Sequence, residues 1–298
     1  MPVDLSVVII NFNTKDLTLG CVESILKNTK GIDFEIILID NSSPHEIPTS
    51  KKYKLISSKT NLGFTGGNNE GMKVSRGRYV LLLNSDTLVH DNALGEMVSW
   101  MDENPKIGIS TSALMNKDGS VQGTGGYFPT LLRVFSWMTI QDFPFVDRFI
   151  KPFHPSKEKS FSKNDEFYMK GKELDWVTGA FMMIRREVIN DIGYFDREYF
   201  MYTEDTDYCY RAKEKGWKIR FNPKWSITHF GGASSIKEYP ILSEYKNVKL
   251  FYKKHYPNWQ YLPLRALLKI GALGRIIILG TMRGGEYARI YSKAFREA

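Results

Sequence analysis

Three polar clusters close apolar runs in the first part of the chain. Asn11 and Asn13 follow Leu5–Ile10, Asp40-Asn41-Ser42-Ser43 follows Phe34–Ile39, and Asn84-Ser85-Asp86 follows Tyr79–Leu83. A single acid after an apolar run often serves only as a cap or a turn residue. Three such ends together imply a polar cleft along one shared edge. A carboxylate fixed there, such as Asp86, can hold a hard divalent cation that bridges to a diphosphate, with water filling the other positions.

A second group lies later. Glu204-Asp205-Thr206-Asp207 puts three carboxylates within four residues at the start of a helix. The helix dipole favours acids there whatever their use. Asp207 and Arg211 are spaced to pair along the helix surface. Glu204 and Asp205 project in different directions, so one can be anchored while the other faces a cleft. A cleft-facing carboxylate could act as general base toward an incoming hydroxyl. His229 ends the run Ser226–His229, ahead of Gly231-Gly232-Ala233-Ser234. The other four histidines show no metal-ligand spacing, so no zinc site is expected. Neither Cys21 nor Cys209 lies in a Cys-x-x-Cys motif, and no Gly-x-Ser-x-Gly elbow is present.

The segment Asn61-Leu62-Gly63-Phe64-Thr65-Gly66-Gly67-Asn68-Asn69 is a glycine-rich lead into a helix. It can bring backbone close to a ligand, or simply make a tight turn. It is neither the dinucleotide fingerprint after a first strand nor a phosphate loop ending in Gly-Lys-Ser/Thr.

The elements that must position these residues alternate. Continuous β-branched runs at Leu5–Ile10, Phe34–Ile39 and Tyr79–Leu83 predict strands buried on both faces, with a weaker strand at Lys54–Ser57 and another at Ile107–Ser112. Helices are expected from Thr14 or Asp16 to about Asn28, after Gly67 to about Ser75, and over about Asp91–Glu103. Strands alternating with helices imply an open, mostly parallel sheet with right-handed crossovers. Beyond it, Lys117-Asp118-Gly119 reads as a turn, and 127–170 as an insertion without period. Helices are expected at Arg186–Ile192, Thr203–Lys215 and Ser243–Tyr256, and two short strands at Ile219–Phe221 and Ser226–Phe230.

Composition narrows the class. The 298 residues are 42% hydrophobic and 25% charged, which argues against disorder and collagen-like structure. Two cysteines cannot form a disulfide framework, so a reducing compartment is expected. The start has Asp4 and no basic run, so no secretory leader is expected, and no apolar stretch is long enough for an ordinary membrane span. The formal net charge is +8, of which residues 260–298 contribute +5 through seven basic and two acidic residues. The body is therefore nearly neutral, and no nucleic-acid groove across the protein is expected. Leu262–Leu279 mixes apolar residues with Arg265, Lys269 and Arg275, while Gly271, Gly274 and Gly280 weaken its helical pattern. This tail could lie on an anionic leaflet, pack on the body, or form a dimer contact.

Taken in order, Val7–Asn13, Ile39–Ser43, Asn61–Asn69 and Leu83–Asp86 resemble the motifs of family 2 glycosyltransferases with a GT-A fold. So do Val177-Thr178-Gly179-Ala180-Phe181, Phe195–Asp207 and the run from His229. The similarity is to the branch that includes bacterial rhamnosyltransferases. It implies an α/β GT-A-type nucleotide-sugar-binding domain over 1–240, with a mostly parallel central sheet flanked by helices. Residues 1–115 would form the nucleotide-binding half and 116–240 the acceptor and catalytic half, with the insertion at 127–170. A basic helical tail would follow at 241–298.

The resemblance also implies roles. Asn11 and Asp40 would line the base and ribose pocket, and Asn61 and Asn68 would border nucleotide and sugar. Asn84-Ser85-Asp86 would be the Asp-x-Asp-type motif, with Asn84 in place of its first Asp and Asp86 binding Mg2+ or Mn2+. His229 would be a further metal ligand. Asp205 would be the catalytic base and Glu204 its support, while Trp176, Thr178 and Gly179 would shape the acceptor side. The implied reaction is inverting transfer from a nucleotide-sugar donor, dTDP-L-rhamnose on this branch and a UDP-hexose otherwise, to a glycan or lipid-linked glycan. The implied location is cytoplasmic, peripheral on the inner face of the membrane. Two other classes stay open: a non-catalytic nucleotide-sugar or glycan binder, and a nucleotidyltransferase. The latter would normally carry a basic glycine-rich loop near the first strand, where only Lys15 is present.

Overall fold

The computed structural model describes residues 3–141, 143, 146–155, 167–231 and 238–298. The tail of the glycine-rich run after His229, from Gly232 onward, lies outside the described residues. So do parts of the insertion, at 142, 144–145 and 156–166. The chain forms two compact units. The first holds residues 1–125 and 165–234, the second 126–164 and 235–298.

In the first unit, β1 (Leu5–Asn11), α1 (Lys15–Asn28), β2 (Phe34–Asn41) and β3 (Lys54–Ser58) are followed by α2 (Gly63–Val74) and β4 (Tyr79–Asn84). Next come β5 (Thr87–Val89), α3 (Ala93–Glu103) and β6 (Ile107–Met115). β7 (Gly125–Gly126) is a two-residue strand at the boundary between the units. One nine-stranded sheet runs β3-β2-β1-β4-β10-β6-β11-β5. Its later members are β10 (Phe181–Arg185) and β11 (Lys218–His229), with β8 (Lys172–Glu173) paired to β11. β9 (Trp176–Val177) lies outside this sheet. Strands β3, β2, β1 and β4 are mutually parallel, and β6 is parallel to β11. The antiparallel exceptions are β10, β5 and β8. The sheet is thus mixed and mostly parallel, as the alternating pattern predicts.

The apolar runs are buried on both faces because helices cover both. Leu5, Val7, Ile9, Ile36, Leu38, Leu81 and Leu83 belong to one core cluster, together with α1 residues Cys21, Val22 and Ile25 and α3 residues Leu94, Met97 and Met101. On the other face α2 lies so close that its glycines are needed. A Cβ on Gly71 would stand 2.2 Å from a Val8 methyl, and one on Gly63, at φ +71, would stand 2.5 Å from the Phe200 carbonyl oxygen.

Several local expectations change. The helix begins at Gly63, inside the segment read as a leading loop. A positive φ and the nearby Phe200 backbone select glycine at 63, and close packing on Ile10 of β1 selects it at 67. Thr14 occupies the cap position of α1 but makes no capping bond, because its hydroxyl is committed to Asn11 and Ser85. The two short strands near 219 and 226 are one strand, β11, whose register against β6 slips between Phe221 and Ser226 around Pro223. Pro223 cannot donate to the ladder, which explains the sequence-level break. β5, in the loop after Asp86, carries no independent signal.

α6 (Arg186–Ile192) and α7 (Glu204–Glu214) complete the first unit. The segment between them is tied to α2 by Asn69, which donates to the Phe195 carbonyl (2.9 Å) and accepts from the Phe195 amide (3.0 Å).

The second unit is helical. It contains α4 (Leu131–Thr139), α5 (Val146–Phe149), α8 (Glu238–His255), α9 (Tyr261–Arg283) and α10 (Gly285–Glu297). The tail glycines do not interrupt α9. A Cβ on Gly271 would stand 2.4 Å from Met138 Sδ, so the absence of a side chain lets α9 pack on α4. Arg275 closes the same contact, donating to the Trp137 carbonyl (2.8 Å). Among the described residues no helix is long and apolar enough to cross a membrane.

Asn69→Ala would leave both Phe195 backbone groups buried without their partner. It should lower unfolding free energy by about 3 kcal/mol, read as a reduced urea midpoint with an unchanged m-value.

Candidate active site

The register of the parallel strands builds the site. Asn11 pairs with Asp40 across β1 and β2, and Ile10 pairs with Asn84 across β1 and β4. Three polar strand ends therefore sit side by side at the carboxyl edge, where open α/β sheets bind ligands. Asn11 is fully buried. Its Nδ2 donates to Asp40 Oδ1 (2.9 Å) and Ser43 Oγ (2.8 Å), and its Oδ1 accepts from the Thr18 hydroxyl (2.9 Å). Thr14 extends the chain of contacts, reaching Asn11 Oδ1 on one side and Ser85 Oγ, at 2.9 Å, on the other.

Asn61 and Asn68 serve the start of α2. Asn61 Oδ1 accepts from the Gly63 amide and from Asn41 Nδ2, and Asn41 Oδ1 accepts from the Leu62 amide (2.8 Å). Asn68 Nδ2 donates to the Phe64 carbonyl within the helix. A cavity of about 410 Å³ opens on the β3 side of α2, bounded by Ser57, Ser58, Thr65, Arg197 and Phe200. None of Asp86, Glu204 or Asp205 lines it.

Beyond β4, Asp86 is buried and faces His229, with Oδ1 3.3 Å from Nε2. The imidazole tautomer follows from its surroundings. Gln122 Nε2 donates to the His229 carbonyl (2.6 Å), which turns Gln122 Oε1 toward His229 Nδ1 at 2.7 Å. A carbonyl oxygen there calls for a proton on Nδ1, and in the neutral ring Nε2 then presents its lone pair. Asn84 Nδ2, 3.2 Å away, can donate to that lone pair. A carboxylate oxygen and an imidazole lone pair face each other, an arrangement complementary to a cation. No group of three or more His, Cys, Asp or Glu side chains converges among the described residues. The protein thus offers one carboxylate and one imidazole here, and a bound metal would take its remaining ligands from substrate and water.

The acids at the start of α7 have unequal environments. Tyr202 and Thr203 both adopt φ +70, a left-handed backbone that costs such residues about 1–2 kcal/mol each and is sustained by surrounding structure. Glu204, only 4% exposed, points inward, and its Oε2 has no hydrogen-bond partner among the described residues. Burial pushes its carboxyl well above the ordinary carboxylate range, and the neighbouring Asp205 charge adds to the shift. Asp205 is half-buried. Its Oδ2 accepts from the Gly179 amide (3.3 Å), and its Oδ1 from the Thr206 amide (2.7 Å). Asp207 is buried and paired with Arg211 Nε (2.8 Å), as the helical spacing predicts.

Gly179 lies against the Phe64 ring, where a Cβ would come within 2.7 Å. Thr178 donates its amide to the Thr124 carbonyl, and Trp176 is buried. Both cysteines are buried free thiols, and burial pushes Cys21 up to about 12, so neither is a poised nucleophile.

Thr14 and Ser43 join the hydrogen-bonded chain at this edge, and Gln122 contacts His229, although the sequence marks Thr14 only as a helix start and Ser43 only as part of a polar strand end. Asn41 was visible as part of a polar strand end. Gln122 carries no local signal, because its role depends on contact with His229, 107 positions away.

The family model described as Glycosyl transferase family 2 matches residues 6–193. A low-salt glycan biosynthesis hexosyltransferase, Agl10, of Haloferax volcanii is 26% identical over 72% of this chain and 64% of that protein. An N-acetylglucosaminyl-diphospho-decaprenol L-rhamnosyltransferase of Mycobacterium tuberculosis is 22% identical over 64% of this chain and 60% of that protein. The chain thus spans less than two thirds of the length of these relatives. A solved structure of GalNAc-T7 with UDP, GalNAc and Mn2+ superposes with TM-score 0.62 at 16% identity, covering 90% of this chain and 51% of that one. That likeness identifies the fold as GT-A.

A raised Glu204 pKa has a definite sign. The folded state holds this proton more tightly than the unfolded chain, so the contribution to stability is complete at low pH and is lost as pH rises from the ordinary carboxylate range through the raised value. Glu204→Gln should therefore flatten the decline in Tm as pH rises above the ordinary carboxylate range. An unchanged pH profile in differential scanning calorimetry would count against a protonated Glu204.

Proposed function

Because the chain belongs to glycosyl transferase family 2, we propose that it is an inverting glycosyltransferase acting on a nucleotide-sugar donor. The observation that carries this proposal is the row of Asn11, Asp40 and Asn84 at one sheet edge, with the Asp86–His229 pair directly after it. Asn11 and Asp40 hold the base and ribose, and Asn61 and Asn68 shape the wall beside them. Ser85 and Asn84 fix the turn that presents Asp86. Asp86 and His229 would hold a magnesium or manganese ion. When bound, such an ion neutralises charge on the departing diphosphate.

Asp205 is the general base. Its position at the start of α7 leaves it half-buried, with one oxygen held by the Gly179 amide. It takes the proton of an acceptor hydroxyl as that oxygen bonds to the anomeric carbon. The bond from that carbon to the diphosphate oxygen breaks, and its electron pair leaves with the nucleoside diphosphate. Attack opposite the leaving group inverts the configuration, through a transition state of oxocarbenium character. Glu204, held neutral by burial, adds no second charge beside the base. Trp176, Thr178 and Gly179 support the acceptor side.

The donor we propose is dTDP-L-rhamnose and the acceptor a glycan or lipid-linked glycan in cell-surface polysaccharide synthesis. The similarity to the mycobacterial rhamnosyltransferase and to the rhamnosyltransferase WbbL of Escherichia coli K12, 26% identical over 51% of this chain, supports it. The hexosyltransferase of Haloferax volcanii, which matches more of the chain, favours a hexose donor as the second possibility. A donor panel with magnesium or manganese, scored by nucleoside diphosphate release, separates the two. Release from dTDP-L-rhamnose alone supports the first.

Asp205→Asn should lower turnover by about a hundredfold to ten-thousandfold while leaving donor affinity unchanged in calorimetry. Turnover at the unmodified rate would remove Asp205 from the mechanism. Asp86→Ala should weaken donor binding only when metal is present, so equal losses with and without metal would exclude a metal-holding role.

A further inference from the structure

The division into units changes where the charge lies. The second unit carries 18 Lys and Arg against 7 Asp and Glu, a net +11, while the first carries 23 against 26, a net −3. Among the described residues, thirteen of the sixteen exposed large apolar side chains also belong to the second unit, which is the smaller of the two. Net positive charge and apolar exposure therefore fall on the same unit.

The apolar exposure is ordered along α9. This helix buries Leu264, Leu268, Gly271 and Ala272. Leu262, Ala266, Ile270, Leu273 and Ile277 recur at intervals of four, four, three and four residues, which places them in one stripe. All five are exposed, Ile270 at 57% and Ile277 at 60%. Trp259 is exposed just before the N-terminus of α9, and Met282 and Arg283 at its end.

We propose that this face of α9 is a membrane-binding surface that lies in the headgroup region of an anionic bilayer, with its apolar stripe entering the acyl boundary. Two features select this occupant. The stripe requires an apolar phase, and the surrounding charge requires an anionic one; an anionic leaflet supplies both. A second copy of the chain would satisfy the stripe but bring two units of +11 together, and like charges oppose that association. A nucleic acid would satisfy the charge and leave the stripe in water. Trp259 suits the interface, where an aromatic ring meets headgroups. This surface is independent of the donor and acceptor assignments.

The test is flotation of the full chain with vesicles of phosphatidylcholine alone and of phosphatidylcholine with phosphatidylglycerol. The expected result is binding to the anionic vesicles, weakened by salt. The double variant Ile270→Glu, Ile277→Glu should reduce binding about tenfold or more. Both positions are exposed, and an unchanged thermal melt verifies the fold. Equal binding by the variant, or no binding to anionic vesicles, overturns the proposal. Light scattering without lipid supplies the remaining outcome: a dimer that the double variant dissociates would assign the stripe to contact between copies instead.

Discussion

The polar strand ends are held in line by a buried hydrogen-bonded chain from Asp40 through Asn11 and Thr14 to Ser85. The Asn11–Thr14 link is local, while the Asp40–Asn11 and Thr14–Ser85 links join distant residues that the parallel register of β1 with β2 and β4 brings to one edge. In a parallel sheet a slip of one residue would turn each of these side chains to the opposite face. The register is in turn enforced by apolar packing, since Val7, Ile9, Leu38 and Leu81 fill a core covered by α1 and α3. Hydrophobic burial supplies the stability, and the polar chain uses the geometry that burial sets. Both the polar residues after β4 and those after β1 and β2 depend on that arrangement.

The same logic separates like residues by environment. Glu204 and Asp205 are adjacent carboxylates, yet one is sealed, with its carboxyl pushed above the ordinary range by burial, while the other meets the Gly179 amide. Two left-handed residues, Tyr202 and Thr203, aim the helix start so that this division arises. Around His229, Gln122 fixes which nitrogen carries the proton, and Asn84 lies on the side of the free lone pair. An Asp at position 84 would bring a second carboxylate to this point, whereas the amide of Asn84 can donate to the imidazole instead.

The electrostatic character of the protein divides by unit rather than by chain end. The sequence places +5 of the net +8 in residues 260–298, but the helical unit as a whole carries +11 and the sheet unit −3. The candidate site, with its buried and half-buried acids, lies on the unit without net positive charge, where those carboxylates are not set in a cationic field. The helical unit combines basic residues with an exposed apolar stripe.

Much of the fold was legible because strands buried on both faces must be continuous apolar runs, and Leu5–Ile10, Phe34–Ile39 and Tyr79–Leu83 have no other economical explanation. The polar residues that end them, and the acids at the start of α7, mark the site for the same reason: they interrupt a pattern set by burial. Less legible were Gly63 and Gly271, where glycine signals a loop or a weak helix in isolation but permits a close helix contact in the fold. Gln122 and Asn69 were silent, since each acts through one contact with a residue distant in sequence.

The sequence by itself determined the alternation of strand and helix, the chemical types available for binding and base catalysis, and the family pattern they follow. Only the tertiary structure decided that Glu204 is buried and Asp205 is not, which nitrogen of His229 faces Asp86, and which segments pool their charge. Periodicity and residue type are local properties, fixed by neighbours along the chain. Protonation, tautomer and exposure depend on desolvation and hydrogen bonding by partners that only folding brings within reach.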